Sequence, residues 1–507
     1  MDEQNITEKK VFRLSVQKED RNSGQRIESN FAPEVPSKNL PPMGYMDIPS
    51  PLPLRKVVGP SLILTGLAIS SGEFVLWPYI TAQAGLSLLW LAIVGVTIQF
   101  FLNMEIERWT LATGETAISG FVRLWKPWGL VMAVAAFITV MWPGWATSGA
   151  ATLGFVFGLD PGATTWIAII ALVSIAITLT ASPAVYNTVE KIEGFKVVVV
   201  LIFLLIAITT AISAKAWGDV GAVFTSIGTG MGALPGDLSP TVVLGALAFA
   251  GAGGLSNLAQ SNWIRDKGYG MGFHIPKIVS PITGKDVAAA PLGHMVRQDE
   301  ANLRRFRGWW KIANIEQLVT FWGMTLLSIT VLSLMAYSTI YGRDLPGTGD
   351  LVFIEAMGET LKETVGPWFG ILFWVIGGFG LMLSALANVD YVSRVIADVL
   401  KTVYLQTSTR WTESRIYFIC VWGLVVLGST ILLSGFNQPL TLLVVSAVIG
   451  GVAMFVYTAL LIKLNRTALP NAIRLKGFRL GAMIFSVLFY GYFAARILVA
   501  YGAQLLS

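Results

Sequence analysis

Apolar runs of about 20 residues recur from residue 57 almost to the end of the chain. Each is long enough to cross a bilayer as a helix. In hydrocarbon every backbone N–H and C=O must be satisfied within the segment, so such runs become helices. Hydropathy places eleven spans, near 57–84, 86–108, 128–157, 163–182, 187–213, 240–262, 313–340, 367–400, 414–434, 439–463 and 479–503. The expected class is an all-α polytopic membrane protein. A very large soluble core fails on charge: 13% of the 507 residues are charged, against about 25% in a soluble chain.

Charge is also placed unevenly. The tail 1–56 and the loops 109–127, 183–196, 263–312, 401–415 and 464–479 fall on one side and hold nearly all the loop Lys and Arg. The 263–312 loop alone has nine basic and four acidic residues. The opposite loops, such as "LDPGAT" and "SGFNQP", are short and neutral, or weakly acidic around 342–366. Positive loops stay in the cytoplasm. The N-terminus is therefore expected inside and the C-terminus outside, in the plasma or inner membrane. The net charge of +6 lies in these loops, so it marks no nucleic-acid surface. The lone Cys420 excludes an intramolecular disulfide, and His274 and His294, in one polar loop, read as solvated. Tail residues 1–56 carry nine Lys/Arg against eight Asp/Glu and become proline-rich. Too few apolar residues are present to pack, so disorder is expected except at the end; an interfacial helix near "KKVFRLSVQK" is the alternative.

Two spans interrupt their own pattern. Segment 1 reads "GLAISSGEFVLWP" and holds Ser70, Ser71, Gly72 and Glu73 at its middle. Segment 6 reads "FAGAGGLSNLAQSN" and holds Gly251, Gly253, Gly254, Ser256, Asn257 and Gln260. Glycine clusters permit close helix packing. They also permit unwinding, which is tolerated at membrane depth only inside protein or beside a wet cavity. A mid-membrane carboxylate is costly unless paired, protonated or hydrated. Paired interruptions five segments apart point to the binding site of an inverted-repeat transporter. The units expected are a first repeat over 57–213, a second over 240–463 and an eleventh helix within 464–507.

The stretches "VGPSLILTGLAISSGEF" and "AGLSLLWLAIVGVTIQFFLNMEIERWTLATGE" resemble the start of the Nramp metal-ion transporters. "YNTVEKIEGFKVVVV" resembles that family's entry to segment 5, "IGGFGLMLSALANVDYVSRVIADVL" its segment 8, and "LLIKLNRTALP" the end of its segment 10. The resemblance covers roughly residues 57–480 and implies a LeuT-type 5+5 inverted repeat plus one helix, with segments 1 and 6 broken. It also has departures. The family's Asp-Pro-Gly-Asn aligns with Ser70-Ser71-Gly72-Glu73, and its Met-Pro-His-Asn with Gly254-Leu255-Ser256-Asn257. The thioether and histidine ligands are lost, and "VMWPGWATSGA" lacks the family's segment 3 acids.

A soft thioether helps select transition metals. Oxygen alone remains, from Glu73, Asn257, Gln260, the serines and freed carbonyls, and that suits a hard cation such as Mg²⁺. The first reading is thus a secondary-active transporter of a small inorganic ion, a hard divalent cation held by Glu73, Asn257 and Gln260. A second resemblance keeps an alternative open: "ISSGEFVLWP" and "LAFAGAGG" also look like amino-acid transporters of the same superfamily. Helix N-termini in such sites bind carboxylates, so a bicarbonate-like anion, coupled to Na⁺, follows, and then an amino acid. A non-transporting sensor would need a signalling domain. An enzyme would need catalytic groups the spans lack, and a channel a symmetric pore.

The wider fold suggests Ser384 and Asn388 as ligands of a coupling Na⁺; H⁺ is the other candidate. Inter-helical hydrogen bonding is their plainer role. No cofactor is expected. Lys191 and Glu193 with Lys196 are candidates for an intracellular gate or a structural pair. Asp390 and Arg394 are one turn apart and should pair. Glu105, Glu107 and Arg108 read as an ion-pair cluster. Tryptophans 77, 90, 109, 125, 128, 309 and 310 read as interfacial belts. "RDKGYGMG" follows no strand and is not a phosphate loop.

Overall fold

The computed structural model describes residues 31–53, 57–235, 238–280, 289–343, 350–436 and 438–506. Among them, ten stretches are helical, long and apolar enough to span a membrane, from Pro60–Ala84 to Phe478–Val499. The eleventh span read from the sequence, 240–262, is present as two short helices, each too short to cross alone. Residues 9–18, where an interfacial helix was considered, lie outside the described residues.

Segment 1 starts at α1 (Pro60–Ala68), where Pro60 occupies the first turn, a position that has no hydrogen bond to lose. After a break at Ile69-Ser70 the chain re-enters as a π-helical turn, Ser71–Leu76, that continues into α2 (Trp77–Ala84). Helix α3 (Leu89–Thr113) ends at Gly114 with φ 76°, a left-handed cap that glycine takes without strain. Then come α4 (Ala117–Leu124), α5 (Pro127–Val140), α6 (Gly144–Phe157), α7 (Pro161–Ala181) and α8 (Val185–Thr210). Two short helices, α9 (Ala214–Asp219) and α10 (Ala222–Thr225), lead to the second half.

Segment 6 is α11 (Pro240–Ala248) and α12 (Ser256–Lys267), separated by an irregular stretch. Within that stretch Gly251, Gly253 and Gly254 take φ of 119°, 71° and 59°, which side chains with a Cβ rarely adopt. Helix α13 (Glu300–Glu316) runs through a π-helical turn, Gln317–Gly323, into α14 (Met324–Thr339). The chain closes with α15 (Val352–Thr364), α16 (Pro367–Val399), α17 (Glu413–Leu433), α18 (Pro439–Thr467) and α19 (Phe478–Leu506). Helix α16 packs along α6, and α11 along α18.

The tail is ordered further back than its composition suggests. β1 (Tyr45–Met46) pairs in parallel with β2 (Met295–Val296). Ile48 N donates to Asn302 Oδ1 at 3.0 Å, and Trp309 Nε1 to Pro49 O at 2.9 Å. Arg123 holds Pro36 O and Pro41 O at 3.2 and 2.9 Å. Docking, not an own core, orders residues 31–53. Part of the set read as interfacial belts is interior. Trp125 is exposed and Trp90, Trp128 and Trp310 half-buried, but Trp77, Trp109 and Trp309 are buried. Their indoles are interior pieces; Trp77 Nε1 donates to Ala246 O at 3.1 Å. His294 is half-buried rather than solvated.

Candidate functional site

The two broken segments touch. A Cβ on Gly72 would collide with the Phe249 carbonyl oxygen, so this glycine lets the two interrupted backbones meet, while one on Gly254 would come within 2.9 Å of Gly450 Cα in the unbroken α18.

Between them lies a cavity of about 10 Å³, lined by Ser71, Thr139, Phe249, Gly253, Ser256 and Asn388, with Trp145 and Tyr391 also on its wall. That is room for about one water. Ser71 Oγ accepts from Trp145 Nε1 at 3.1 Å. Ser256 Oγ donates to Gly253 O at 2.6 Å. Asn388 Nδ2 donates to Ser384 O at 2.8 Å, one turn up α16.

Ser70 and Glu73 close the segment 1 break. Ser70 Oγ donates to Leu67 O at 2.7 Å, and Ser70 N to Glu73 Oε2 at 3.4 Å. Glu73 is fully buried and its Oε1 has no hydrogen-bond partner. Lys196 Nζ stands 2.6 Å from Glu193 Oε2, 2.7 Å from Ser384 Oγ and 3.5 Å from Gly380 O. Ser384 Oγ in turn lies 3.4 Å from Gly66 O of α1. The place expected for a coupling Na⁺, between α1 carbonyls and Ser384, holds an ammonium group. Glu193 pairs with Lys196, as the structural reading had it, while Lys191 is exposed.

The ligand set Glu73, Asn257 and Gln260 does not converge through its hydrogen bonds. Asn257 Nδ2 turns to Gln99 Oε1 at 3.3 Å and to Tyr457 OH at 3.5 Å. Gln260 is buried with neither amide atom bonded. Among the described residues no cluster of three His, Cys, Asp or Glu could hold a metal. The donors that do meet at the cavity are hydroxyls, Asn388 and backbone.

Sequence reasoning missed Gln99. From α3 its Nε2 donates to Ala248 O and Ala250 O, both at 2.9 Å, and its Oε1 accepts from Gly253 N at 3.1 Å. One amide thus replaces the helical bonds that the segment 6 break gives up. The signal was available: Gln99 is an amide in an apolar run, with Asn103 one turn on. Met454 was missed as well. Its Sδ accepts from Gly254 N at 3.2 Å, so a thioether reaches the break from α18 although segment 6 carries none. Tyr457 OH donates to Gly254 O at 3.0 Å from the same helix.

No protein-family model matches the chain, and no curated protein matches its sequence. Solved structures match in shape. A manganese transporter of Eremococcus coleocola, in complex with an aromatic bis-isothiourea substituted compound, gives a TM-score of 0.61 at 11% identity, over 94% of this chain and 91% of that one. A mutant of the same transporter gives 0.61 at 12%, over 91% and 90%. MhsT in complex with L-phenylalanine gives 0.50 at 16%, over 88% and 98%. The chain has the LeuT-type fold. It is a polytopic all-α integral membrane protein, and its broken segments 1 and 6 are a feature of that fold.

On the basic side, segment 6 is tied to α16 and α17 by buried charges. Arg265 reaches Asp398 at 2.8 Å and Glu413 at 2.6 Å. Arg394 bonds Asp266, and Asp390 at 2.8 Å. Trp263 Nε1 and Tyr417 OH donate to Asp390 at 3.0 and 2.6 Å. The Asp390–Arg394 pair was read from the sequence; the network around it was not. At the opposite end, a cavity of about 250 Å³ lies beside Thr147, Phe155, Asp350, Glu355 and Pro439.

Proposed function

We propose that the chain is a secondary-active transporter that moves a small inorganic ion by alternating access, with a hard divalent cation as its substrate. One observation carries the reading. Two interrupted helices meet at a cavity of single-ion size whose polar lining is mainly oxygen. Oxygen donors suit Mg²⁺-like ions. Glu73 lies buried at the segment 1 break and does not line this cavity. An amino acid exceeds the volume of that cavity. The basic face and the N-terminus lie in the cytoplasm and the C-terminus outside, across the plasma or inner membrane.

A specific observation favours a second reading. Ser71 and Ser256, at the starts of the re-entering helical pieces of segments 1 and 6, both line the small cavity, and helix N-termini there suit a small anion such as bicarbonate.

Purified protein in liposomes separates the two. Mg²⁺, Mn²⁺, Ca²⁺, bicarbonate and amino acids would each be offered, with and without a pH gradient. The cation reading expects Mg²⁺ uptake and a thermal shift, about 2.7 kcal/mol of stabilisation at a hundred times Kd, both lost in Glu73→Gln. Bicarbonate uptake with no response to any divalent cation would turn the assignment to the anion. High-affinity Mn²⁺ uptake that excludes Mg²⁺ would sink the argument from oxygen donors.

A further inference from the structure

A second built site lies at the basic membrane face, remote from the central cavity. Where α3, α13 and the α18–α19 linker meet, a cavity of about 380 Å³ is lined by Arg108, Arg307, Trp310, Arg474, Lys476 and Arg479. Five cations share one pocket, and no acid lines it. Glu105, the carboxylate that pairs with Arg108 and Arg479, is buried. It takes two bonds from Arg108, at 2.7 and 3.0 Å, and one from Asn465 at 3.0 Å. Arg307, Arg474 and Lys476 make no ion pair among the described residues.

The pocket is held in shape. The Trp310 ring carries Arg108 at 4.1 Å and Arg479 at 4.8 Å from its centroid. Such stacking fixes guanidinium planes. Arg108 Nη1 donates to Ile473 O at 2.9 Å, pinning the linker. Arg479 bonds Asn314, yet its buried Nη1 has no hydrogen-bond partner. That atom meets Glu105 Oε1 only at 4.0 Å, and one carboxylate shared by Arg108 and Arg479 leaves Arg307, Arg474 and Lys476 uncompensated, an excess of positive charge that suits an anion with several oxygens.

The source of that anion follows from where the pocket sits. Arg479 lies in the first turn of α19, a membrane-spanning helix. Its neighbour Phe478 is 79% exposed on the outer surface and packs edge-on to Phe101 at 5.7 Å. Exposed phenylalanine at a span's start marks the level of acyl chains, and basic pockets at that level take lipid headgroups.

We propose that this pocket binds the phosphodiester headgroup of an anionic phospholipid in the leaflet on the basic side. The proposal rests on the membrane placement of the chain and not on the substrate assigned to the central cavity.

The test uses the full chain in nanodiscs of phosphatidylcholine alone or with phosphatidylglycerol, reading thermal stability and lipid retention by native mass spectrometry. A separate arm adds inorganic phosphate or glycerol phosphate to phosphatidylcholine discs. The probe variant is Arg307→Gln/Arg474→Gln/Lys476→Gln, three exposed side chains that the fold does not need. Wild type should retain phosphatidylglycerol and melt higher with it. The triple variant should bind it about a hundredfold more weakly, at roughly 1 kcal/mol per basic residue, while melting like wild type in phosphatidylcholine. Equal retention by both proteins would overturn the site. A full shift from soluble phosphate alone would overturn the lipid as its source.

Discussion

Lys196 stands between Glu193 and Ser384, at 2.6 and 2.7 Å, where a mobile cation was expected. A tethered ammonium there gives α1 and α16 the positive charge that sodium would otherwise bring. Uptake by the wild type should therefore be unchanged when Na⁺ is replaced by choline. Lys196→Ala empties the place but leaves the Glu193 carboxylate, Ser384 Oγ and the Gly66 carbonyl. Breaking a buried pair costs about 3–5 kcal/mol, and Na⁺ should recover part of that loss in the variant only. Melting temperatures of both proteins in NaCl and choline chloride decide it, and Na⁺-dependent uptake by the wild type would refute the assignment. This arrangement was hidden in the sequence for a physical reason. Ser384 could be suspected from the wider fold, but its partner lies 188 residues away, and no local spacing encodes that contact. The segment 1 break, by contrast, was legible, because Ser and Gly beside a carboxylate contradict an apolar run.

The broken helices owe their shape to elements outside themselves. Segment 6 takes positive φ at three glycines, and that pattern could be suspected from "GAGG". What holds the opened backbone is α3, through Gln99, and α18, through Met454 and Tyr457. An amide that satisfies two carbonyls and one N–H leaves all three unsatisfied when it is removed. Each buried orphan costs about 1–3 kcal/mol, so Gln99→Leu should lower stability by several kcal/mol or abolish folding. Gln99→Glu is the informative partner. Facing two carbonyl oxygens in the interior, it should hold a proton, keep the acceptor for Gly253 N and donate to one of Ala248 O and Ala250 O rather than both, so it should fold and melt between Leu and wild type. Equal melting of all three would mean that the break is held by packing alone. At this scale the sequence located the interruption and not its support, because one apolar-run amide looks the same whether it clamps a backbone or binds a neighbouring helix.

If the chain works by alternating access, as proposed, its basic end must open, and there segment 6 is tied to its neighbours by buried charges. Segment 6 ends in Arg265 and Asp266, and both are held by α16 and α17 through Asp398, Glu413 and Arg394. Ten apolar helices long enough to span a membrane could be read from hydropathy. The network of buried charges could not, since its members come from three distant helices and pass singly for ordinary loop charges. Asp398→Asn weakens one arm while leaving Arg265 its bonds to Glu413 at 2.6 Å and Asp266 at 3.3 Å. The fold should survive, because no charge is left unpaired. A charge-assisted bond contributes about 1.5–3 kcal/mol, and each 1.4 kcal/mol is about tenfold in an equilibrium. If the network holds the closed state, amide hydrogen exchange over residues 256–267 should speed up by at least about tenfold in the variant. Exchange near the 250 Å³ cavity, at residues 350–364, should not speed up, because opening one end closes the other. Faster exchange at both ends would indicate general loosening instead, and unchanged exchange would show that the charges stabilise the fold without gating it.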